Sequence, residues 1–164
     1  MKKLFIILAI LFVVSSLDAK VIRRSTFEIG TKASLYIGDA VDNVGLGLGA
    51  EVVVNPMRSI AFRIDLTELL IADNTAFVFN HGGSFDALFY LPTRTLNLYI
   101  HTGFGLATNG NTALSVRGGV GLVHPWSRSS NLFIEPGIII TDRENAPTDV
   151  TFRLSAGARF GIFR

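Results

Sequence analysis

The sequence predicts an all-β chain: an eight-stranded antiparallel up-and-down transmembrane β-barrel behind a cleaved signal peptide. Three observations predict it. A short basic and then apolar N-terminus has the layout of an export signal. Beyond it, hydrophobicity alternates with period two in segments separated by turn residues, the mark of strands. The two faces so defined are of opposite character, one rich in Leu, Val, Ile and Phe without a formal charge, the other carrying Gly and ten charges. Composition narrows the classes further. The 164 residues are 49% hydrophobic and 17% charged, with a mean hydropathy of +0.44, too apolar and aromatic for disorder. Past the N-terminus no apolar uncharged run reaches the length of a membrane helix, so a helical bundle is excluded. With no Cys there is neither a disulfide framework nor a thiolate metal site, and His81, His101 and His124 are too scattered to suggest a ligand set. No cofactor is expected.

The elements follow in order. Lys2 and Lys3 precede an apolar run from Leu4 to Val14, then Ser15, Ser16 and a small residue at Ala19. Residues 1–19 read as a signal peptide and 20–164 as the barrel. Of 15 basic and 13 acidic residues, the signal would remove Lys2, Lys3 and Asp18. The mature charge is then +1, and the high isoelectric point marks no nucleic-acid partner. Eight strands are expected at about 25–37, 44–55, 59–67, 76–91, 96–107, 113–123, 131–141 and 150–163. In the first, Phe27, Ile29, Thr31, Ala33, Leu35 and Ile37 share a face, while Glu28, Gly30, Lys32, Ser34 and Tyr36 share the other. In the second, Val44, Leu46, Leu48, Ala50, Val52 and Val54 oppose Gly45, Gly47, Gly49 and Glu51. Two positions break the pattern. His81 and Gly83 on the apolar parity of the fourth strand suggest a bulge, and Pro136 removes a ladder hydrogen bond from the seventh.

Which face points inward decides the class. An eight-stranded interior has too little room for so many large apolar side chains, and a soluble barrel would turn its Gly-rich face to water. The inverse arrangement places the apolar face on lipid and fills a narrow lumen with Gly and charge. Glu28, Glu51, Asp65, Asp86 and Glu135 balance Lys32, Arg63, Arg117, Arg153 and Arg159, as a buried interior requires. Together with His101 these residues form the predicted lumen network, structural in role.

Alternate connections repeat as PMRS at 56–59, PTRT at 92–95 and PWSRS at 125–129. With an even strand number they share one end with both termini. That end carries Lys20, Arg23, Arg24, Arg58, Arg94, Arg128 and Arg164 with no acid. The other end carries Asp39, Asp42, Glu68, Asp73, Asp142, Glu144 and Asp149 against Arg143 alone. Ordinary solvated turn chemistry explains this sorting. A functional reading makes the basic turns Arg58, Arg94 and Arg128 a collar on anionic headgroups beside Trp126, and the acidic rim a holder of divalent cations.

At this point the chain resembles the small eight-stranded outer-membrane proteins of the OmpA/OmpX type. The resemblance spans the mature chain and rests on pattern, with one sharper motif. The final strand resembles an insertion signal of the form polar, any, Gly, any, any, apolar, any, apolar, matched here by Ser155, Gly157, Phe160 and Ile162. Arg164 stands last where the class commonly ends on an aromatic. The resemblance implies an outer-membrane location in a diderm bacterium with periplasmic termini. It also implies contact with membrane lipids, insertion by the barrel-assembly machinery, and a monomer.

Function is less constrained. A structural or membrane-interaction barrel without catalysis is supported by the filled lumen. A lipid-modifying enzyme, which some members of the class are, would use Asp86, His101 and Ser115, which share lumen parity on consecutive strands. A four-residue turn at 92–95 would set Asp86 directly across from His101. An interior histidine within the charge network is the simpler reading of these residues. Surface adhesion is disfavoured by short outer connections at 38–43, 67–75, 108–112 and 142–149. A narrow channel requires the network around Arg63 and Arg117 to open. The expected function is therefore the non-catalytic barrel, with channel and lipid-modifying enzyme as alternatives.

Overall fold

A computed structural model describes residues 25–38, 41–66, 68–72, 75–80, 83–92, 97–109, 111–143 and 147–163. The signal sequence, Arg94 and Arg164 lie outside the described residues. Ten segments alternate along the chain: β1 (Phe27–Gly38), β2 (Val41–Val54), β3 (Ile60–Asp65), β4 (Glu68–Ala72), β5 (Thr75–Asn80), β6 (Ser84–Tyr90), β7 (Asn97–Asn109), β8 (Asn111–Pro125), β9 (Ser130–Arg143) and β10 (Asp149–Phe163). Around the wall the order is β1-β10-β9-β8-β7-β6-β3-β2, and β2 pairs back to β1, so these eight strands close on themselves. β4 prolongs β3 along β2, and β5 prolongs β6 along β4. The ten segments therefore make eight antiparallel staves of a closed all-β barrel.

The third and fourth staves differ from the expectation. The third does not end at residue 67, and no nine-residue loop follows it. It resumes as β4 and runs to Ala72, because the chain takes up an extra residue beside Leu66. β2 meets β3 in the register Glu51↔Asp65 and β4 in the register Leu48↔Leu69, a shift of one residue across the join. Such a bulge flips parity and lets the ladder continue. Glu68 accordingly begins β4 opposite Asn80; it belongs to the wall and not to an acidic rim. β5 and β6 flank residues 81–82, so the bulge suggested by the parity break at His81 and Gly83 falls outside the described residues. Strands also outrun their expected ends at 108–112, where Asn109 and Asn111 are already paired.

Pairing right round the barrel fixes its geometry. The row Arg159↔Gly30↔Glu51↔Asp65↔Ser84↔Gly105↔Ser115↔Thr141 returns to β10 at Asp149, ten residues displaced from its start. For eight strands spaced ~4.8 Å with a rise of ~3.3 Å, that stagger tilts the staves by roughly 40°.

Burial follows the same parity. In β1, Glu28, Gly30, Lys32 and Ser34 are buried while Ile29, Thr31 and Ala33 are exposed. The outward face carries Leu46, Leu48, Phe62, Ile64, Phe85, Ile100, Phe104, Val116 and Ile138, each 40% exposed or more. The inward face carries the charges. Pro136 lies on the outward face. Its missing N–H is on the β8 side, where pairing stops at Gly119↔Gly137 and resumes at Leu122↔Ile134; pairing to β10 continues through Leu154↔Pro136.

Candidate functional site: the charged lumen

The lumen is stratified along its axis. At the end shared with the chain termini, Val53, Ala61, Leu88, Tyr90, Tyr99, Val123 and Phe133 form one buried cluster. Each lies within three residues of a strand end at that side, so the lumen is closed there by apolar and aromatic side chains. Parity put Tyr90, Tyr99 and Phe133 inside. It did not single out Val53, Ala61, Leu88 and Val123, which are apolar residues on a face otherwise read as polar. The signal was present in their position at strand ends, where a plug needs no charge.

The aromatic rings need glycine. A Cβ on Gly121, the cross-strand partner of Tyr99, would come within 2.0 Å of the Tyr99 ring. One on Gly157, the partner of Phe133, would come within 2.8 Å of that ring. Each ring lies over a strand position that offers no side chain. Gly157 of the predicted insertion motif thus has a packing role, with Ser155 buried beside it and Phe160 and Ile162 exposed on the outward face.

Above the plug lies the charge network. Arg63 is wholly buried. Its Nε and Nη2 donate to Asp86 Oδ2 at 2.8 and 2.6 Å, and its Nη1 donates to Glu135 Oε2 at 2.5 Å. Its Nη1 also stands 3.5 Å from Glu51, and its Nε 3.6 Å from Asp65. Glu135 further accepts from Arg153 Nη2 at 2.7 Å and from the Tyr99 hydroxyl at 2.6 Å. Arg159 Nε pairs with Glu51, and its guanidinium stacks over Phe133 at 4.2 Å from the ring centroid. Asp65 Oδ2 takes Lys32 Nζ at 2.6 Å, Arg117 Nη1 at 2.9 Å and Arg153 Nη1 at 3.5 Å. Glu28 accepts from Asn131 at 3.3 Å, toward the plugged end. The structure thus brings nine of the ten predicted lumen charges into one cluster and places Glu28 below it. Such a cluster offsets the desolvation of each ion with charge-assisted hydrogen bonds.

The Asp86, His101 and Ser115 constellation is not assembled. Asp86 pairs across the ladder with Gly103, and His101 with Leu88. The connection between β6 and β7 is two residues longer than a four-residue turn, with Leu91 N–H donating to the Leu98 carbonyl at 2.9 Å. That length sets the register, and sequence did not specify it. His101 lies instead opposite Gly119, with Nε2 3.4 Å from Glu135 Oε1. Ser115 lies opposite Gly105 and donates to the Gly105 carbonyl at 3.3 Å. The four-residue offset between His101 and Gly105 along β7 puts the imidazole and the hydroxyl about 13 Å apart along the strand.

At the plugged end, Arg58 and Arg128 occupy exposed connections between β2 and β3 and between β8 and β9. Trp126 beside Arg128 is 67% exposed. Asn55 N–H donates to the Thr26 carbonyl and Gly161 N–H to the Ser129 carbonyl, so these turns abut the beginning of β1 and the end of β10. On the side away from the plug, Ser84, Gly105, Thr141 and Thr151 are buried and Ser115 half-buried, a layer of small and hydroxylated residues.

No family model and no curated protein sequence matches the chain. Among solved structures, the crystal structure of Neisserial surface protein A (NspA) is similar in fold, with a TM-score of 0.54 and 14% identity, covering 84% of this chain and 98% of that one.

Proposed function

We propose that this chain is a monomeric barrel of the outer membrane of a diderm bacterium, with periplasmic termini and a packed lumen, serving a structural or membrane-interaction role without catalysis. One observation carries the reading: burial is inverted. Large apolar side chains are exposed all round the wall, whereas Arg63, Arg153, Arg159, Glu51, Asp86 and Glu135 are at most 1% exposed inside it. A soluble barrel with that distribution would present a continuous apolar belt to water, far beyond what a monomeric soluble protein tolerates. In a bilayer the same belt is solvated by acyl chains, and closure pairs β1 with both β2 and β10. The similarity to a surface protein agrees with this location.

Arg58, Arg128 and Trp126 at one end suit an interface with anionic headgroups, the arginines by charge and the indole by its amphipathic ring. The buried apolar cluster and the paired charges occupy the lumen among the described residues, which supports a closed barrel over a channel. The distance between Ser115 and His101, and the commitment of Asp86 to Arg63, support a non-catalytic lumen. The test is conductance of the refolded mature chain in a planar bilayer, with a gel comparing heated and unheated samples to establish folding. A folded, electrically silent barrel is expected; steady discrete openings would instead establish a channel.

A further inference from the structure

We propose that the connections 55–59 and 126–129 at the plugged end are two separate sites for the headgroups of anionic phospholipids, so that the barrel selects such lipids over zwitterionic ones at that end. The proposal rests on the bilayer reading and specifies which lipid that end of the wall prefers. Depth comes from the wall itself. Its outward face stays apolar to the ends of the strands, with Val54, Phe89 and Ile162 37%, 43% and 47% exposed. Arg58 follows Val54 by four residues and is exposed, so its guanidinium leaves the wall where hydrocarbon gives way to headgroups. Met57 and Trp126, 62% and 67% exposed, occupy the same two connections.

Charge favours an anion there. Each connection carries an arginine followed by a serine, Arg58 with Ser59 and Arg128 with Ser129, and neither carries an acid. The acids of β1 and β2 nearest this end, Glu28 and Glu51, are 2% and 0% exposed and face the lumen. The 126–129 turn also presents its donors outward. Trp126 and Ser127 N–H both donate to the Ser130 carbonyl at 3.0 Å, and Ser127 Oγ accepts the Ser129 N–H at 3.2 Å. As an acceptor there, the Ser127 hydroxyl keeps its own proton to donate, next to the exposed Arg128. A guanidinium with a neighbouring hydroxyl matches the two unesterified oxygens of a phosphodiester, and the indole suits the interface beside it. A zwitterionic lipid presents the same phosphate but brings a cation of its own, which an arginine repels.

The wall keeps the two sites apart. In the order β1-β10-β9-β8-β7-β6-β3-β2, the 126–129 connection joins β8 to β9 and the 55–59 connection joins β2 to β3, four staves away in either direction. For eight strands spaced ~4.8 Å and tilted by roughly 40°, the ring is about 16 Å across. That exceeds the roughly 8 Å over which exposed charges interact at physiological ionic strength. Arg58 and Arg128 therefore act on different lipids.

Trp126 is the single tryptophan of the chain, which makes the test local. The mature chain is refolded into phosphatidylcholine vesicles at low salt, with gels of heated and unheated samples to establish folding. Trp126 fluorescence is then quenched by increasing mole fractions of acyl-brominated phosphatidylglycerol or, separately, acyl-brominated phosphatidylcholine. The anionic lipid is expected to reach half-quenching at about one-fifth the mole fraction of the zwitterionic one, the effect of one arginine at a charged surface. High salt should narrow the difference. Arg128→Gln should bring the two lipids to parity, whereas Arg58→Gln, across the ring, should leave the Trp126 reading unchanged. Met57→Trp combined with Trp126→Phe moves the reporter to the other turn, where the two arginines should exchange roles; it carries the test should Arg128→Gln not fold. Equal quenching by the two lipids, or a preference that survives Arg128→Gln, would overturn the site at 126–129. Equal losses from Arg58→Gln and Arg128→Gln would overturn the separateness of the two. A folded chain quenched by neither lipid would instead overturn the bilayer reading beneath the proposal.

Discussion

Removing the Arg63 guanidinium would leave Asp86 and Glu135, both fully buried, without the partner they share. Arg63→Met is therefore expected to destabilise the folded barrel by about 3–5 kcal/mol, because the carboxylates lose their counter-ion while staying buried. Urea unfolding of the refolded chain in lipid vesicles measures it, and the double change with Asp86→Asn should recover part of the loss. Packing is as exacting at Gly121. A methyl group there would stand 2.0 Å from Tyr99, so Gly121→Ala should cost about 1–3 kcal/mol by displacing the ring. The double change with Tyr99→Ala should recover part of it, read by the same unfolding curve. At this scale the sequence was informative about faces and silent about partners. Period-two counting put ten charges on one side of the wall. It could not pair Asp86 with Arg63, since a pairing depends on the register of two strands and the reach of two long side chains.

Register is a property of elements, and here the turns decide it. A connection two residues longer than expected between β6 and β7 moved His101 from Asp86 to Leu88, which dissolves the candidate triad. The extra residue beside Leu66 likewise extended a stave that hydropathy had ended at residue 67. Strand interiors were legible because alternation is a local pattern. Bulges and connection lengths were not, because many loops satisfy the same turn chemistry. Pro136 supplies an element-scale prediction. Pro136→Ala restores an N–H toward β8, where the ladder is interrupted between Gly119↔Gly137 and Leu122↔Ile134. The new amide should exchange slowly with solvent, with a stability gain of at most about 1 kcal/mol. Hydrogen-exchange NMR at residues 135–137 reads both the amide and its neighbours.

For the whole molecule, closure and inversion act together. The outward belt makes Ile64, 47% exposed, a probe of the surrounding medium. Ile64→Arg should cost about 2 kcal/mol or more in vesicles, and much less in a soluble protein with an exposed isoleucine. Refolding yield against denaturant measures the difference. The overall architecture was legible from one parity argument, since no other eight-stranded arrangement accommodates apolar bulk on one face and balanced charge on the other. The seam between β1 and β10 has a consequence of its own. It joins Phe27 to Phe163 and runs on to Gly38↔Thr151, so the first and last staves of the wall hold one another. Nothing in the ring is complete until the last stave to be synthesised arrives, and thereafter no stave can peel away without tearing two ladders at once. Such a wall assembles late and comes apart slowly: its lifetime is set by the barrier to the first tear, and its persistence is a matter of rate as much as of equilibrium.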